Sequence, residues 1–558
     1  MHRALTIPEL LEIIFSSTDE VTNARAVGVC KAWSGVARDT LWRDVRGLHR
    51  LFSLLTPVMR ISSQYEFQRP IRPGDWTEFN TLASRVKHLT VEDLYYYKFR
   101  ESDLGKVATT RPSFHILPNL TQLTLKTSNE CQFWFSVIFL HQDLHRLVLQ
   151  IPNTVVPRDF FTEVSLRCAK LCYLELGMSI PVRKIEAELT DMLPTLRNLK
   201  QVVMPCYTIS SSIMTALSCL PNLGIVKSQC FEDRECGDPV DVQPFSPVLQ
   251  EGAFPSLRRL TCDAILSDMS SFLASKFAPV NLTSLCQQTA SVETALSVSE
   301  SLAAIYHTCP RLKFLSLYLT VDGRTQTLNE NSDSISFKEV CHILDFPHLV
   351  SFELTHYRPL DITDDDIDRL AKNWPSLESL NLNSEPVVLD NPKITFASLA
   401  SLAQHCPNLC HLGLFLNPSP DDLPKPAVPF RTLKSLDVGT SPIQYQEHAA
   451  LYLSEICPLS CTLEIGIKSN LVLKNGLMRN ADFNSEIRRR QVGWERVQAN
   501  LPVLTMLRRE ERERSQDLER TVHDLGRETQ DLRMRMKILE NLLEDFRTLQ
   551  KSPGCINK

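Results

Sequence analysis

A short pattern, L-x-x-L-x-L, recurs thirteen times between residues 86 and 438 and restricts what this chain can fold into. Clear copies are Leu120–Leu125, Leu144–Leu149, Leu171–Leu176, Leu312–Leu317, Leu349–Leu354, Leu377–Leu382 and Leu409–Leu414. Weaker copies start at Val86, Leu199, Leu223, Leu257, Leu282 and Leu433. The mean step is about 29 residues. Side chains alternate along a strand, so the fourth and sixth positions face one way and their neighbours face the other. Upstream of several copies lies a helical pattern that stops at a proline: 301–308 before Pro310, 365–373 before Pro375 and 396–405 before Pro407. A proline there ends the helix and turns the chain toward the strand. No such unit can bury its leucines alone, so neighbours must stack into one cooperative body.

The pattern resembles the leucine-rich-repeat family, in the type that carries full helices, over about 350 residues. The resemblance implies an α/β solenoid with parallel strands on the concave side and helices on the convex side. The solenoid is expected over residues 80–470, after a helical module at 1–50 and a linker at 51–79 that holds the breakers Pro70, Pro73 and Gly74. Polar insertions at 231–250, 321–334 and 417–429 read as surface loops of longer repeats.

Composition narrows the function classes. With 60 basic against 65 acidic side chains, the net charge of −5 gives no bias toward nucleic acid. The densest apolar run, Phe133–Leu140, falls far short of the ~20 residues that cross a bilayer, so no membrane partner is expected. Pro8, Glu9 and Glu12 interrupt the early apolar run, which does not read as a signal peptide. The 17 cysteines then read as reduced thiols of cytosol or nucleus. Cys309, Cys406 and Cys457 each precede a proline at an equivalent helix end, and the C-x-x-x-C pairs lack zinc spacing. Core positions explain them, and no metal or cofactor is expected. Phosphate-loop, dinucleotide, metalloprotease and nucleophile-elbow motifs are all missing, and 17 glycines leave little for a phosphate cradle. Nothing in the residues argues for an enzyme.

The amino-terminal residues carry a second pattern. Ile7-Pro8-Glu9-Leu10-Leu11 leads into Ile14-Phe15, then Val29-Cys30-Lys31-Ala32-Trp33, then Leu41-Trp42-Arg43-Asp44-Val45. Three short helices here cannot bury two tryptophans and a leucine stripe by themselves. They either cap the solenoid or present an apolar face to another protein. The three blocks, in this order, resemble the F-box. That resemblance implies binding to the Skp-type adaptor of a cullin/RING ubiquitin ligase through Pro8, Leu10, Leu11, Ile14, Val29, Cys30, Trp33, Leu41 and Trp42.

At the other end, over 484–550, apolar positions alternate by four and three: Leu518, Val522, Leu525, Thr529, Leu532, Met536, Leu539, Leu543 and Phe546. This is a coiled-coil seam, open to a homodimer or to another protein. Strand alternation places Phe314, Ser316, Tyr318, Ser351, Glu353, Ser379, Asn381, His411, Phe415 and Asp437 on the concave side. Of these, Phe314, Tyr318, Glu353, Asn381, His411, Phe415 and Asp437 are the candidates for touching a protein target. Two readings follow: a substrate receptor of an SCF-type ligase, or an interaction scaffold without ligase recruitment.

Overall fold

The structure is a computed structural model. It describes residues 7–62, 64–92, 98–229, 236–319, 334–418, 428–468 and 481–550. Residues 231–235 of the first expected insertion, and 321–333 and 419–427, which are most of the other two, lie outside the described residues. The remainder of the first insertion is not a bare loop, because Val242 and Phe245 are buried.

Fifteen strands form one parallel sheet whose order follows the chain, from Asp44–Arg46 to Thr462–Ile465. All thirteen motif copies are strands of it, each starting two residues after the first motif position. The copy at Leu312 is the strand Phe314–Leu319, with Leu312, Leu315 and Leu317 all buried. The same three positions form one continuous core along the repeats. This is a leucine-rich-repeat solenoid in the α/β class.

The helices end where the prolines place them. Ala295–Thr308, Asp364–Asn373 and Phe396–His405 stop at Cys309, Trp374 and Cys406, each buried and each followed by proline. Cys406 tucks its thiol 3.5 Å from the Trp374 carbonyl, and burial pushes it up to about 12. Such a thiol is a packing group rather than a nucleophile.

Two strands escape the leucine pattern. Asp44–Arg46 follows Trp42, which stands where other repeats have their first leucine and packs on the solenoid core. Thr462–Ile465 follows Ser460 at that position and keeps only Leu463 fully inward. Residues 51–79 are not a linker. Leu51, Phe52, Leu55, Trp76 and Phe79 are buried in the main core, and Val58–Ile61, Gln64–Phe67 and Lys98–Phe99 form a small sheet. Pro73, read as a breaker, opens the helix Pro73–Ala83, a position that suits its fixed φ.

A single helix, Ala481–Gln550, closes the carboxyl end. Its first turns lie on the helix Gln446–Ile456 and bury Trp494, Val497 and Leu501. Trp494 Nε1 donates to the Ser441 carbonyl at 3.0 Å, and Arg490 Nη1 donates to the Thr440 carbonyl at 2.9 Å. Gly493 permits this approach, because a Cβ there would lie 2.4 Å from Ile443 Cγ2. Trp494→Ala should therefore destabilise this end by about 3–5 kcal/mol. Hydrogen exchange should speed up in Ser435–Gly439 and Thr462–Ile465 while Arg146–Ile151 stays protected. Unchanged exchange at the two terminal strands would contradict this role for the helix.

Candidate interaction surfaces

The amino-terminal module consists of α1 (Pro8–Ser16), α2 (Glu20–Ala26) and α3 (Lys31–Arg43). Pro8 sits at the start of α1, and Asp19 caps α2 by accepting from the Thr22 amide at 2.8 Å. The module's own core is small: Leu11, Phe15, Ala26 and Ala37, with Val27, Trp33 and Val36 packed against it. The Trp33 ring meets Phe15 edge-on at 5.6 Å. Leu11 therefore faces inward and is unavailable to a partner, contrary to the expectation from its motif. Trp42 is half-buried and packs against the solenoid core, with the Arg50 guanidinium 5.7 Å above its ring. Cys30, Trp33 and Leu41 are half-buried, whereas Pro8, Leu10, Ile14 and Val29 are exposed. Ile13 and Val21 join that exposed set, and α-helical spacing could have indicated both.

On the sheet, neighbouring strands share one register, so equivalent outward positions form rows. Phe314, Ser351, Ser379 and His411 lie side by side in one row. The next row runs Cys286, Ser316, Glu353, Asn381, Gly413 and Asp437. Tyr318 stands one pair further along, and its hydroxyl donates back to Glu353 Oε2 at 2.6 Å. Gly413 leaves the space that Asn381 fills, because a Cβ there would come within 2.8 Å of Asn381 Cγ. Ser384 links the row, donating its amide to Asn381 Oδ1 at 3.3 Å and its hydroxyl to Asp437 Oδ2 at 3.2 Å.

These groups line a cavity of about 600 Å³ that extends from Cys206 to Lys468. Nine strand spacings, about 40 Å on a flat sheet, separate the strands that lead into those two residues. One cavity reaches both because the sheet curls around it. Tyr318, Glu353, Asn381 and Asp437 thus come together as expected, while Phe314 and His411 occupy the adjoining exposed row. Phe415 does not join them and is buried. The chain leaves the large sheet after Leu414 and pairs Leu416–Asn417 with Ile394–Thr395, so strand alternation no longer governs Phe415.

The cavity is rich in desolvated carboxyl groups. Burial holds Glu353 above its ordinary range, against the Tyr318 and Ser316 hydrogen bonds, and the charge of Asp437 adds to this. Burial also raises Asp437, with Lys468 at 3.8 Å in opposition. Beside the cavity, Asp263 accepts from Ser228 Oγ and from the Tyr207 amide, yet burial still raises it to about 7. Gln288, Cys286 and Lys468 went unnoticed in the sequence. The first two stand at outward positions of a weak repeat copy, where alternation could have found them. The Cys286 thiol is pushed up to about 12 by burial, so it is not an activated nucleophile. Among the described residues, no group of three or more His, Cys, Asp or Glu is placed to hold a metal ion. Among the same residues, no helix is long and apolar enough to cross a membrane.

No protein-family model matches the chain, and no curated protein matches it. Among solved structures, it is similar to the leucine-rich repeat-containing protein LegL7 from Legionella pneumophila. The identity is 16%, over 52% of this chain and 88% of that one, with a TM-score of 0.32. It is also similar to a chain of the Rad7 and Elc1 complex in yeast, at 16% identity over 77% of this chain and 92% of that one, with a TM-score of 0.35. Overlap of this extent bears on neither partner nor activity.

The raised Asp263 makes stability depend on pH. Its folded value of about 7 exceeds the ordinary 3.8, so between these limits the folded state binds more protons and stability falls as pH rises. Asp263→Asn removes the buried charge and keeps an acceptor for Ser228. It should unfold at a higher temperature than the native chain at about pH 8, an advantage that vanishes near pH 4. An equal difference at both pH values would show that Asp263 is not the titrating group.

Proposed function

We propose that this chain is a non-catalytic substrate-recognition subunit of an SCF-type ubiquitin ligase, working in cytosol or nucleus. The carrying observation is the uncovered apolar face of the amino-terminal module. Leu10 is 40% exposed, Ile13 66%, Ile14 40%, Val21 62% and Val29 55%, around a core of only four buried apolar residues. Leu10, Ile13 and Ile14 share one side of α1 by helical spacing, and an exposed apolar patch of this kind marks a surface that another protein covers. In this reading the Skp-type adaptor covers it and brings the cullin/RING subunits. Pro8, Leu10, Ile14 and Val29 make the direct contacts, while Leu11, Trp33 and Trp42 hold the helices that present them.

A protein target occupies the concave rows, with Phe314 and His411 at the exposed edge and the Tyr318–Glu353 pair within the cavity. The reaction belongs to other subunits, and this chain supplies proximity and orientation of target lysines. Self-association through the carboxy-terminal seam gives two such surfaces per assembly. The same amino-terminal helices also join the solenoid, since Trp42 and the strand Asp44–Arg46 begin its core and sheet. Capping and adaptor docking therefore use different faces of one module.

Purified full-length chain should bind a Skp-type adaptor in a pull-down. Leu10→Asp with Ile14→Asp should abolish that binding and leave the unfolding temperature unchanged, because both side chains are exposed. Absence of binding by the native chain, or undiminished binding by the double variant, would defeat the ligase reading and leave a scaffold.

A further inference from the structure

From Glu511 to Thr548 every side chain of the carboxy-terminal helix is exposed. The run includes Leu518, Val522, Leu525, Leu532, Met536, Leu539, Leu543 and Phe546, each more than half exposed. So regular an apolar stripe, projecting beyond the body that anchors the helix at Trp494, requires a cover. Resting on the reading of this stripe as a self-association seam, we infer that a second copy of the chain covers it in one particular geometry, parallel and in register.

The heptad positions carry the argument. Leu518, Leu525, Leu532, Leu539 and Phe546 occupy d, and Val522, Thr529, Met536 and Leu543 occupy a. Leucine at d with the β-branched Val522 and Thr529 at a favours two parallel strands over the first half of the seam, and the polar Thr529 helps fix register. In a parallel pair, each g residue faces the e residue five places on in the other helix. Glu528 then meets Arg533 and Arg535 meets Glu540, each twice by symmetry, giving four attractive contacts. Among the described residues, Glu528, Arg533 and Glu540 make no ion pair, and Arg535 reaches only Asp531 of its own helix, at 2.9 Å. An antiparallel pair brings e against e and g against g, and layering a against d leaves two registers of equal overlap. One, over 522–546, sets Arg533 against Arg533 and Arg535 against Arg535; the other, over 518–543, pairs Glu528 with Arg535 but sets Glu519 against Glu540, so neither gains net attraction. Charge therefore discriminates between the two arrangements, and leucines alone would not.

The geometry has a consequence for recognition. Thr505 is still buried and Arg508 and Arg512 still reach Glu455, at 3.3 and 2.6 Å, so about 9 Å of helix separates the last of these contacts from Leu518. A parallel pair holds both bodies at the same end of one rod, so two concave surfaces can engage a single multivalent target. The second contact then forms at an effective concentration near the millimolar range.

Two arms test this with the full chain. Sedimentation should give twice the 63.5 kDa chain mass. Glu528→Arg with Arg535→Glu should weaken the dimer roughly tenfold or more, by creating four like-charge contacts. Adding Arg533→Glu and Glu540→Arg should restore it. In the second arm, Thr529→Cys should give a 529–529 disulfide under mild oxidation, identified by peptide mass. The parallel register places both thiols in one layer, whereas the two antiparallel registers offset them along the axis by about 15 Å and about 4.5 Å. A dimer lacking that disulfide and unmoved by the charge exchange would overturn the parallel geometry while leaving self-association intact. A trimer would overturn the two-stranded pair, and a monomer throughout the micromolar range would overturn self-association as well.

Discussion

The inward leucines of each strand touch those of the strands on either side, and this contact organises everything else in the molecule. Leu315 lies in register with Leu285 and Phe352, and Leu317 with Gln287 and Leu354. A strand removed from this stack would expose its apolar face on both sides, so the repeats are stable only together. The same register lines up the outward positions into rows. A surface made of rows can change its chemistry residue by residue without disturbing the core beneath. The glutamate, asparagine and aspartate of the cavity sit over buried leucines that do not depend on them.

A stack of this kind has two ends, and the chain treats them differently. At the amino end, Trp42 and Val45 extend the core by one further strand, and α1–α3 follow with an apolar outer face left uncovered. At the carboxyl end, Trp494 and Arg490 reach across to carbonyls at residues 440 and 441, so the edge is covered from within the chain. The helix then continues well beyond what it covers. Each terminus therefore performs a structural task and also offers an apolar surface that the chain itself leaves unsatisfied.

Much of the fold was legible because it is periodic. Thirteen of the fifteen strands announced themselves by leucine spacing, and the helix ends by their prolines. The other two strands were hidden because Trp42 and Ser460 replace the leading leucine. Residues 51–79 were misread because Pro73 starts a helix as readily as it breaks one. The sites were legible in part. Leu10, Leu11 and Ile14 carry the same apolar signal, and only the helix crossing decides that Leu11 turns inward. Phe415 obeys an alternation that ends one residue earlier. The reach of Tyr318 to Glu353 and of Trp494 to Ser441 joins residues 35 and 53 positions apart, which no local pattern encodes.

The claim on which the functional account rests is that the amino-terminal apolar face exists to be covered by an adaptor. Hydrogen exchange of the full chain, with and without a purified Skp-type adaptor, tests it most directly. The account predicts slowed exchange within residues 8–30, with the repeat strands from residue 122 onward unchanged. Protection confined to the concave strands, or none in residues 8–30 despite complex formation, would contradict it.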